Sequence, residues 1–479
     1  MDRTSLDPAD WVGFRKTAHK MLDEAIDKMQ AAREGRVWTP FPEEMKVGLN
    51  IEMPQKGIGC GAVQEKITDL LPYGVGNTHP RFFGWVHGAG NPGGVLAAIG
   101  AAAMNANLGG RDHGPIYIEK QVLEWCREMM RFPVGSSGLI VSGTSMATII
   151  AMKAARDERL KGECRKSGVG NHRLVGYASV QAHTCVGRAF DLLGLGSDSL
   201  RKIECDSSYR IDLGALVEAV RCDRENGFIP FAVIGTAGAV NVGAIDDLAG
   251  IGDIAAREGL WFHVDGAFGA TAILCEEIRP RLKGLECADS LAFDFHKWFH
   301  VNYDAGCVLI RSGELQLQAF SGRPEYLAGA GQGLAAGSPW PVDYGPELSR
   351  GFRALKIWAH LLEHGTEKIS AAISRNCAQA RYLGNKVEES SEFELLAPVA
   401  LNIVCFRYVN EGIANLDLLN ERIVIELQQS GIAAPSTTYL KGQLAIRVNI
   451  TNHRTEFADL DLLLTEVARI GGTLAQRRE

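Results

Sequence analysis

The chain has 479 residues, a formal net charge of −7, and a composition that is 46% hydrophobic and 22% charged. That length can bury a sizeable core and predicts two or three domains, or one large α/β domain with appendages. There is no basic tract or stripe, which argues against a nucleic-acid partner, and the most apolar tract (95–104) is far too short to cross a membrane.

The first sixteen residues have no apolar run behind their charges, so no secretory signal is expected. The eleven cysteines are scattered, odd in number and contain no C-x-x-C. That predicts reduced thiols and a cytoplasmic location rather than a disulfide or zinc framework. Residues 11–35 predict an amphipathic helix, with Trp11, Phe14, His19, Met21, Leu22, Ile26 and Met29 interrupted by charges. Pro40, Pro42 and Pro54 then break regularity, and residues 1–79 read as an N-terminal helical segment.

From about residue 80 to 310 short apolar runs alternate with helical periodicities. The runs are "GLIVS" (138–142), "RLVGYAS" (173–179), "FAVIGT" (231–236), "LWFHVD" (260–265) and "DSLAFDF" (289–295). This alternation predicts an α/β domain over 80–354, built on a mostly parallel sheet covered on both faces. Ligands of such sheets bind outside the carboxyl ends of the strands. Residues 312–346 are rich in Gly, Pro and Ser and predict a long, weakly structured stretch that is functional or disordered. "RALKIWAHLLEHG" predicts a helix ending at Gly365. With strands at 401–408 and 443–450, residues 355–479 read as a small α+β domain.

Four places carry candidate chemistry. Gly88-Ala-Gly-Asn-Pro-Gly93 matches G-x-G-x-x-G, but Pro92 removes an N–H that a pyrophosphate would use, so a plain glycine-rich loop is the better reading. Gly143-Thr-Ser-Met-Ala147 nearly matches a nucleophile elbow. Thr144 and Ser145 at a helix start also make an anion cradle, and an ordinary helix cap fits equally. His360-Leu-Leu-Glu-His364 matches the inverted zinc-protease motif, on a helix that already has an apolar face; a metal-dependent hydrolase using His360 and His364 is a remote alternative.

The fourth is a constellation. Asp265 ends one apolar strand, and His296-Lys297 comes after another, in "FDFHKWFH". Separately, a strand-end Asp is often a turn former, and a lysine often snorkels. Together with the 143–145 cradle they meet the needs of pyridoxal phosphate. These are an anion site, a lysine amine of depressed pKa for a Schiff base, and a carboxylate beside the pyridine nitrogen. His183, opening a helix, would supply a flat partner for the ring.

With these residues in place, the sequence resembles the group II pyridoxal-phosphate-dependent amino-acid decarboxylases, which include the aromatic-amino-acid, histidine and glutamate enzymes. The resemblance runs from about residue 75 to 360. It rests on "HVDGAFG", on the thirty-two residues from Asp265 to Lys297, and on "ADSLAFDFHKW". It implies a fold type I enzyme of the aspartate-aminotransferase kind, working as a homodimer with its site at the interface. Lys297 would carry the Schiff base, Asp265 would pair with the pyridinium, and His183 would stack on the ring. Thr144, Ser145 and His296 would hold the phosphate, and Ala267 would line the other ring face. Tyr326 in "GRPEYL" would be the mobile-loop tyrosine that reprotonates the α-carbon.

Two departures stand out. Threonines common after the glycine at 238 are replaced by "GAVN", so a hydroxyl contact is lost or passes to Asn241, and the family's "NPHK" is "DFHK". Aligned substrate-pocket positions are Asn77, Trp85, Val86, His87, Asn107 and Arg111, more polar than in the aromatic enzymes. Arg111 or His87 would then face an acidic or hydroxylated side chain, unless Arg111 makes an intersubunit ion pair. The expected activity is decarboxylation of an L-amino acid with an aromatic or polar side chain. The alternatives within the cofactor class are an oxidative aldehyde synthase or another fold type I enzyme.

Overall fold

The computed structural model describes residues 5–322 and 328–476. Its strands, in chain order, are β1 (Phe82–Phe83), β2 (Ser137–Val141), β3 (Leu174–Ser179), β4 (Leu200–Ile203), β5 (Ile229–Thr236) and β6 (Trp261–Asp265). Next come β7 (Ser290–Asp294), β8 (Gly306–Ile310), β9 (Phe393–Leu395), β10 (Ile403–Tyr408), β11 (Ala434–Leu440) and β12 (Gln443–Asn449). Seven of them form one sheet in the order β2-β8-β7-β6-β5-β3-β4. All its strands run parallel except β8, which is antiparallel to both neighbours. The reversal stems from the short connection after β7: a parallel return needs a crossover of about a dozen residues or more, usually a helix.

The sheet is buried on both faces, so successive residues of a strand enter opposite cores. Ile140, Phe262, Val264, Leu291 and Leu309 join one apolar cluster, while Leu139, Val141, Ala292, Val308 and Ile310 join the other. This is why these strands read as unbroken apolar runs rather than alternating ones. The register sets the strand ends side by side. Asp265 of β6 pairs with Ala292 of β7, and Gly306 of β8 pairs with Asp294 on one side and Val141 on the other. The turns after β2, β6 and β7 therefore open onto one edge of the sheet.

The second sheet has the order β1-β11-β12-β10-β9. Only Phe82 and Phe83 of the strand-like "RFFGWVH" are in register, parallel to Ala434 and Pro435. The Gly/Pro/Ser-rich stretch begins with a helix, Gly313–Phe320, capped by Ser312. The helix expected to stop at Gly365 does break there, with φ +66° and ψ 166°, but helix resumes and Ala354–Glu388 is one interrupted rod. Its second half touches the lysine turn: the Trp298 indole N–H donates to Asn376 Oδ1 at 3.0 Å.

Arg350 ties the sheet to the segment before that rod. Its guanidinium pairs with Glu119 and donates to Leu108 O (2.9 Å) and Ile140 O (2.6 Å), with both side chains of the ion pair buried. Arg350→Met is expected to lower unfolding free energy by about 3–5 kcal/mol, because Glu119 is left as a buried unpaired charge. Chemical denaturation measures it. Converting Glu119 to leucine in the same chain should recover part of the loss, and an unchanged midpoint in the single variant would contradict the assignment.

Candidate active site

Lys297 lies in a tight turn after β7. The Phe295 N–H donates to Ala305 O (2.9 Å) and the Val301 N–H to Phe295 O (3.0 Å), which closes the turn. Phe295, Trp298 and Phe299 are completely buried, so the rings beside the lysine are anchors in the core. Gly88 crosses the turn so closely that a Cβ there would stand 2.3 Å from both His296 O and Lys297 O. The glycine loop at 88–93 thus serves backbone approach, and Asn91 caps the helix after it by accepting from Gly94 N–H (2.9 Å).

Six of the expected residues line one cavity of about 360 Å³: Thr144, Ser145, His183, Ala267, His296 and Lys297. Asp265 lies just behind the lining, its Oδ2 3.9 Å from Cys185 Sγ and its Oδ1 accepting from the Ala267 N–H (3.1 Å). Burial pushes Asp265 above the usual carboxylate range, although Lys297 works against the shift. A buried carboxylate of this kind is stabilised in its charged form by an adjacent cation such as a pyridinium.

His183 is the cap of the Thr184–Leu192 helix, and its Nδ1 accepts from the Cys185 N–H (3.2 Å). Burial lowers its pKa despite Asp265 nearby, so the ring is a neutral, flat imidazole. His296 is also lowered by burial, and Ala305 N–H donates to its Nδ1 (3.1 Å).

The start of the Thr144–Arg159 helix fits a phosphate. The first bond within the helix is Ala147 N–H to Gly143 O (3.1 Å), so the Ser145 and Met146 amides lie outside the helix ladder, while the Thr144 N–H is taken by Asp294 Oδ1 (2.8 Å). Thr144 Oγ1 is buried with no hydrogen-bond partner among the described residues. A buried hydroxyl without a partner at a helix N-terminus fits an oxyanion.

Four lining residues were not singled out from sequence: Ser142, Cys185, Asp294 and Tyr303. Asp294 changes the expected state of the lysine. Burial alone would depress Lys297, but the Asp294 carboxylate, 2.9 Å from Nζ, outweighs it and raises Lys297 above the ordinary lysine value. The expectation of a depressed amine is therefore corrected. Sequence showed Asp294 only as a departure from a motif. The Tyr303 ring lies 4.4 Å from that of His296 and 6.2 Å from that of His87.

The remaining expected residues lie apart from the cavity lining. Asn241 is held away from it: its amide donates to Gln181 Oε1 (3.2 Å) and its Oδ1 accepts from Thr438 (3.2 Å), because the 237–245 turn leans on the second sheet. His87 stacks on Phe82 at 5.7 Å, beside Trp85 at 5.9 Å; burial, then Lys297 and His296, lower its pKa. Val86 is buried, and Asn77 donates to Gly88 O (2.6 Å). The Asn107 Oδ1 is taken up by the N–H groups of Gly109 and Arg350, both 2.9 Å away. Arg111 lies over the Trp340 ring at 4.6 Å. Tyr326 falls outside the described residues.

His360 and His364 pack ring against ring at 4.8 Å, and His360 Nδ1 meets the Asn91 amide at 3.0 Å. Among the described residues no group of three or more His, Cys, Asp or Glu side chains is placed to hold a metal ion.

The pyridoxal-dependent decarboxylase conserved domain matches residues 42–409. An aromatic-L-amino-acid decarboxylase of Bacillus atrophaeus is 35% identical over 470 residues, covering 95% of this chain and 94% of its own. Tryptophan decarboxylase 2 of Oryza sativa subsp. japonica is 28% identical over 492 residues, covering 98% and 97%. The crystal structure of Oryza sativa TDC with PLP and tryptamine superposes with a TM-score of 0.89 at 24% identity, covering 98% of this chain and 100% of that one. At that identity the superposition speaks for the shared α/β fold.

Proposed function

The chain belongs to the pyridoxal-dependent decarboxylases, and we propose that its substrate is an aromatic L-amino acid, released as the amine and CO₂. It is a carboxy-lyase of fold type I that uses pyridoxal 5'-phosphate. The observation that carries the site assignment is the convergence of six expected residues, Lys297 among them, from four turns on one cavity. The aromatic preference rests on the Tyr303 ring in the cavity lining, with the His87 ring 6.2 Å from it and Phe82 and Trp85 packed against His87. The named activities of the relatives point the same way.

Pyridoxal phosphate, when bound, supplies a protonated ring that withdraws the electron pair left by departing CO₂. In the proposed arrangement Lys297 would hold the cofactor through its side-chain amine. Asp265 would pair with the ring nitrogen and favour its protonated form, and His183 would lie against the ring. Thr144, Ser145 and His296 would hold the phosphate end, and Ala267 would line the ring. Holding substrate and cofactor in one fixed orientation would be the largest service of these contacts. Tyr326 would deliver the proton to Cα.

The division into a helical segment (1–79), a cofactor domain (80–354) and a small domain (355–479) belongs to the same proposal. So does a homodimer, supported by apolar side chains left exposed on the Trp11–Gln30 and Pro92–Met104 helices, among them Trp11, Val12, Leu96 and Ile99. No described helix is long and apolar enough to cross a membrane. All eleven cysteines are free, which supports a reducing, cytoplasmic setting.

A panel of Trp, Tyr, Phe, His, Glu, Asp and diaminobutyrate, scored for CO₂ and amine, tests the substrate class. Turnover of the aromatic members is expected, and turnover confined to Glu or Asp would overturn it. Tyr326→Phe is expected to divert product from amine toward aldehyde, ammonia and peroxide, because the carbanion outlives its missing proton donor. Amine alone at a near-normal rate would show that another group protonates Cα.

A further inference from the structure

Asp294 is a cavity carboxylate with no role in the chemistry proposed for its neighbours. It ends β7 at 2% side-chain exposure, and its two oxygens are both engaged. Oδ1 accepts from the Thr144 N–H at 2.8 Å, and Oδ2 accepts from Lys297 Nζ at 2.9 Å. It has little freedom to turn aside. A Cβ on Gly306 would already stand 2.6 Å from Oδ1 and 2.6 Å from Gly143 Cα, and the Asp294 N–H is fixed on Ala267 O at 3.1 Å. His296 Nε2 lies 3.7 Å away, and burial keeps that ring neutral, so it does not cancel the charge.

These contacts put a fixed negative charge at the helix N-terminus where the phosphate end of the cofactor is proposed to sit. The Thr144 N–H has one hydrogen, and Asp294 already holds it. A phosphate carrying up to two negative charges therefore meets one donor fewer and a like charge beside it, in a site with little water to screen either. We propose that Asp294 is an affinity-limiting residue: it weakens the hold on the cofactor's phosphate, so that occupancy of the enzyme tracks cofactor supply. This rests on the phosphate being held by Thr144 and Ser145.

The charge on Asp294 also steadies the Lys297 ammonium, so its removal acts on two parts of the cofactor at once. Pyridoxal, which lacks the phosphate, separates them. The full-length protein is stripped of cofactor and titrated with pyridoxal phosphate and with pyridoxal. Binding is read by protein fluorescence and ligand absorbance, without turnover. Asp294→Asn removes the charge and keeps an acceptor for the Thr144 N–H. Loss of one nearby like charge should tighten pyridoxal phosphate binding about tenfold or more, while pyridoxal binding changes less than about threefold.

An equal change for both ligands would overturn the proposal, as would weaker binding of pyridoxal phosphate. Asp294→Ser, with a smaller acceptor, repeats the comparison if the asparagine variant does not fold. If the wild-type chain binds pyridoxal phosphate no better than pyridoxal, the Thr144–Ser145 cradle itself is wrong, and that result is distinct from a failure of Asp294 alone.

Discussion

Lys297→Ala is expected to give a folded protein that releases CO₂ at least about 10⁴-fold more slowly than wild type, on the scale of deleting a covalent catalytic group. The side chain is 23% exposed, and its ammonium faces the cavity between Asp294 and the approach from His87. Its neighbours Phe295, Trp298 and Phe299 hold the turn without it. The alanine variant should therefore retain near-normal secondary structure, bind pyridoxal phosphate reversibly, and lose it on dialysis. Because Asp294 is left without its partner, a modest loss of stability accompanies the loss of activity. Circular dichroism, ligand retention after dialysis and CO₂ release decide the matter together. A variant that keeps turnover within about tenfold of wild type would show that Lys297 is not the attachment point.

Asp265→Asn ranks second. Asparagine preserves shape and can still accept from the Ala267 N–H, but carries no charge to hold a proton on the ring nitrogen. Burial makes a lone Asp265 carboxylate unfavourable, so its charged form depends on a cation beside it. The dependence is mutual, and with an amide there the ring nitrogen sheds its proton. A loss in kcat of about 10²- to 10³-fold or more is expected, the range for removing a preorganised charge partner. Cofactor binding should survive, since lysine, phosphate and stacking contacts remain. Equal losses in cofactor affinity and no change in kcat at saturation would assign Asp265 to binding alone.

Much of the site could be read from the chain because strands in a doubly covered sheet end in polar residues. "WFHVD" and "SLAFD" are unbroken apolar runs, and the residues immediately after each run have to lie at the sheet's edge. Asp265 and Lys297 were legible for that reason, and Thr144–Ser145 were legible as the start of a helix after another such run. Asp294 was present in the same stretch but not interpretable. Its meaning comes from Thr144, 150 residues away, brought alongside by the pairing of β7, β8 and β2. The pairing itself depends on the reversed β8, which strand periodicity does not reveal.

Asn241 shows the opposite case. Its position after the glycine turn suggested a polar contact to the cofactor, but the turn is pulled toward the second sheet by Arg447, which donates to the carbonyls of Val240 and Asn241. That sheet begins with two residues, Phe82 and Phe83, paired to a strand about 350 residues later in the chain. Local sequence carries no trace of such a pairing. The state of Lys297 was misjudged on the same ground: Schiff-base chemistry suggested a depressed amine, and the effect of the nearest charged group, Asp294, was seen only when the fold was assembled.

Attachment of pyridoxal phosphate to Lys297 in this cavity is the claim on which the rest depends. Borohydride reduction of the full-length protein with bound cofactor, with proteolysis and mass spectrometry of the product, tests it most directly. A stable pyridoxyl-phosphate adduct is expected on the peptide containing "FDFHKWFH", located at Lys297. An adduct at another lysine, or a reduced protein with no adduct after equilibration with excess pyridoxal phosphate, would contradict it.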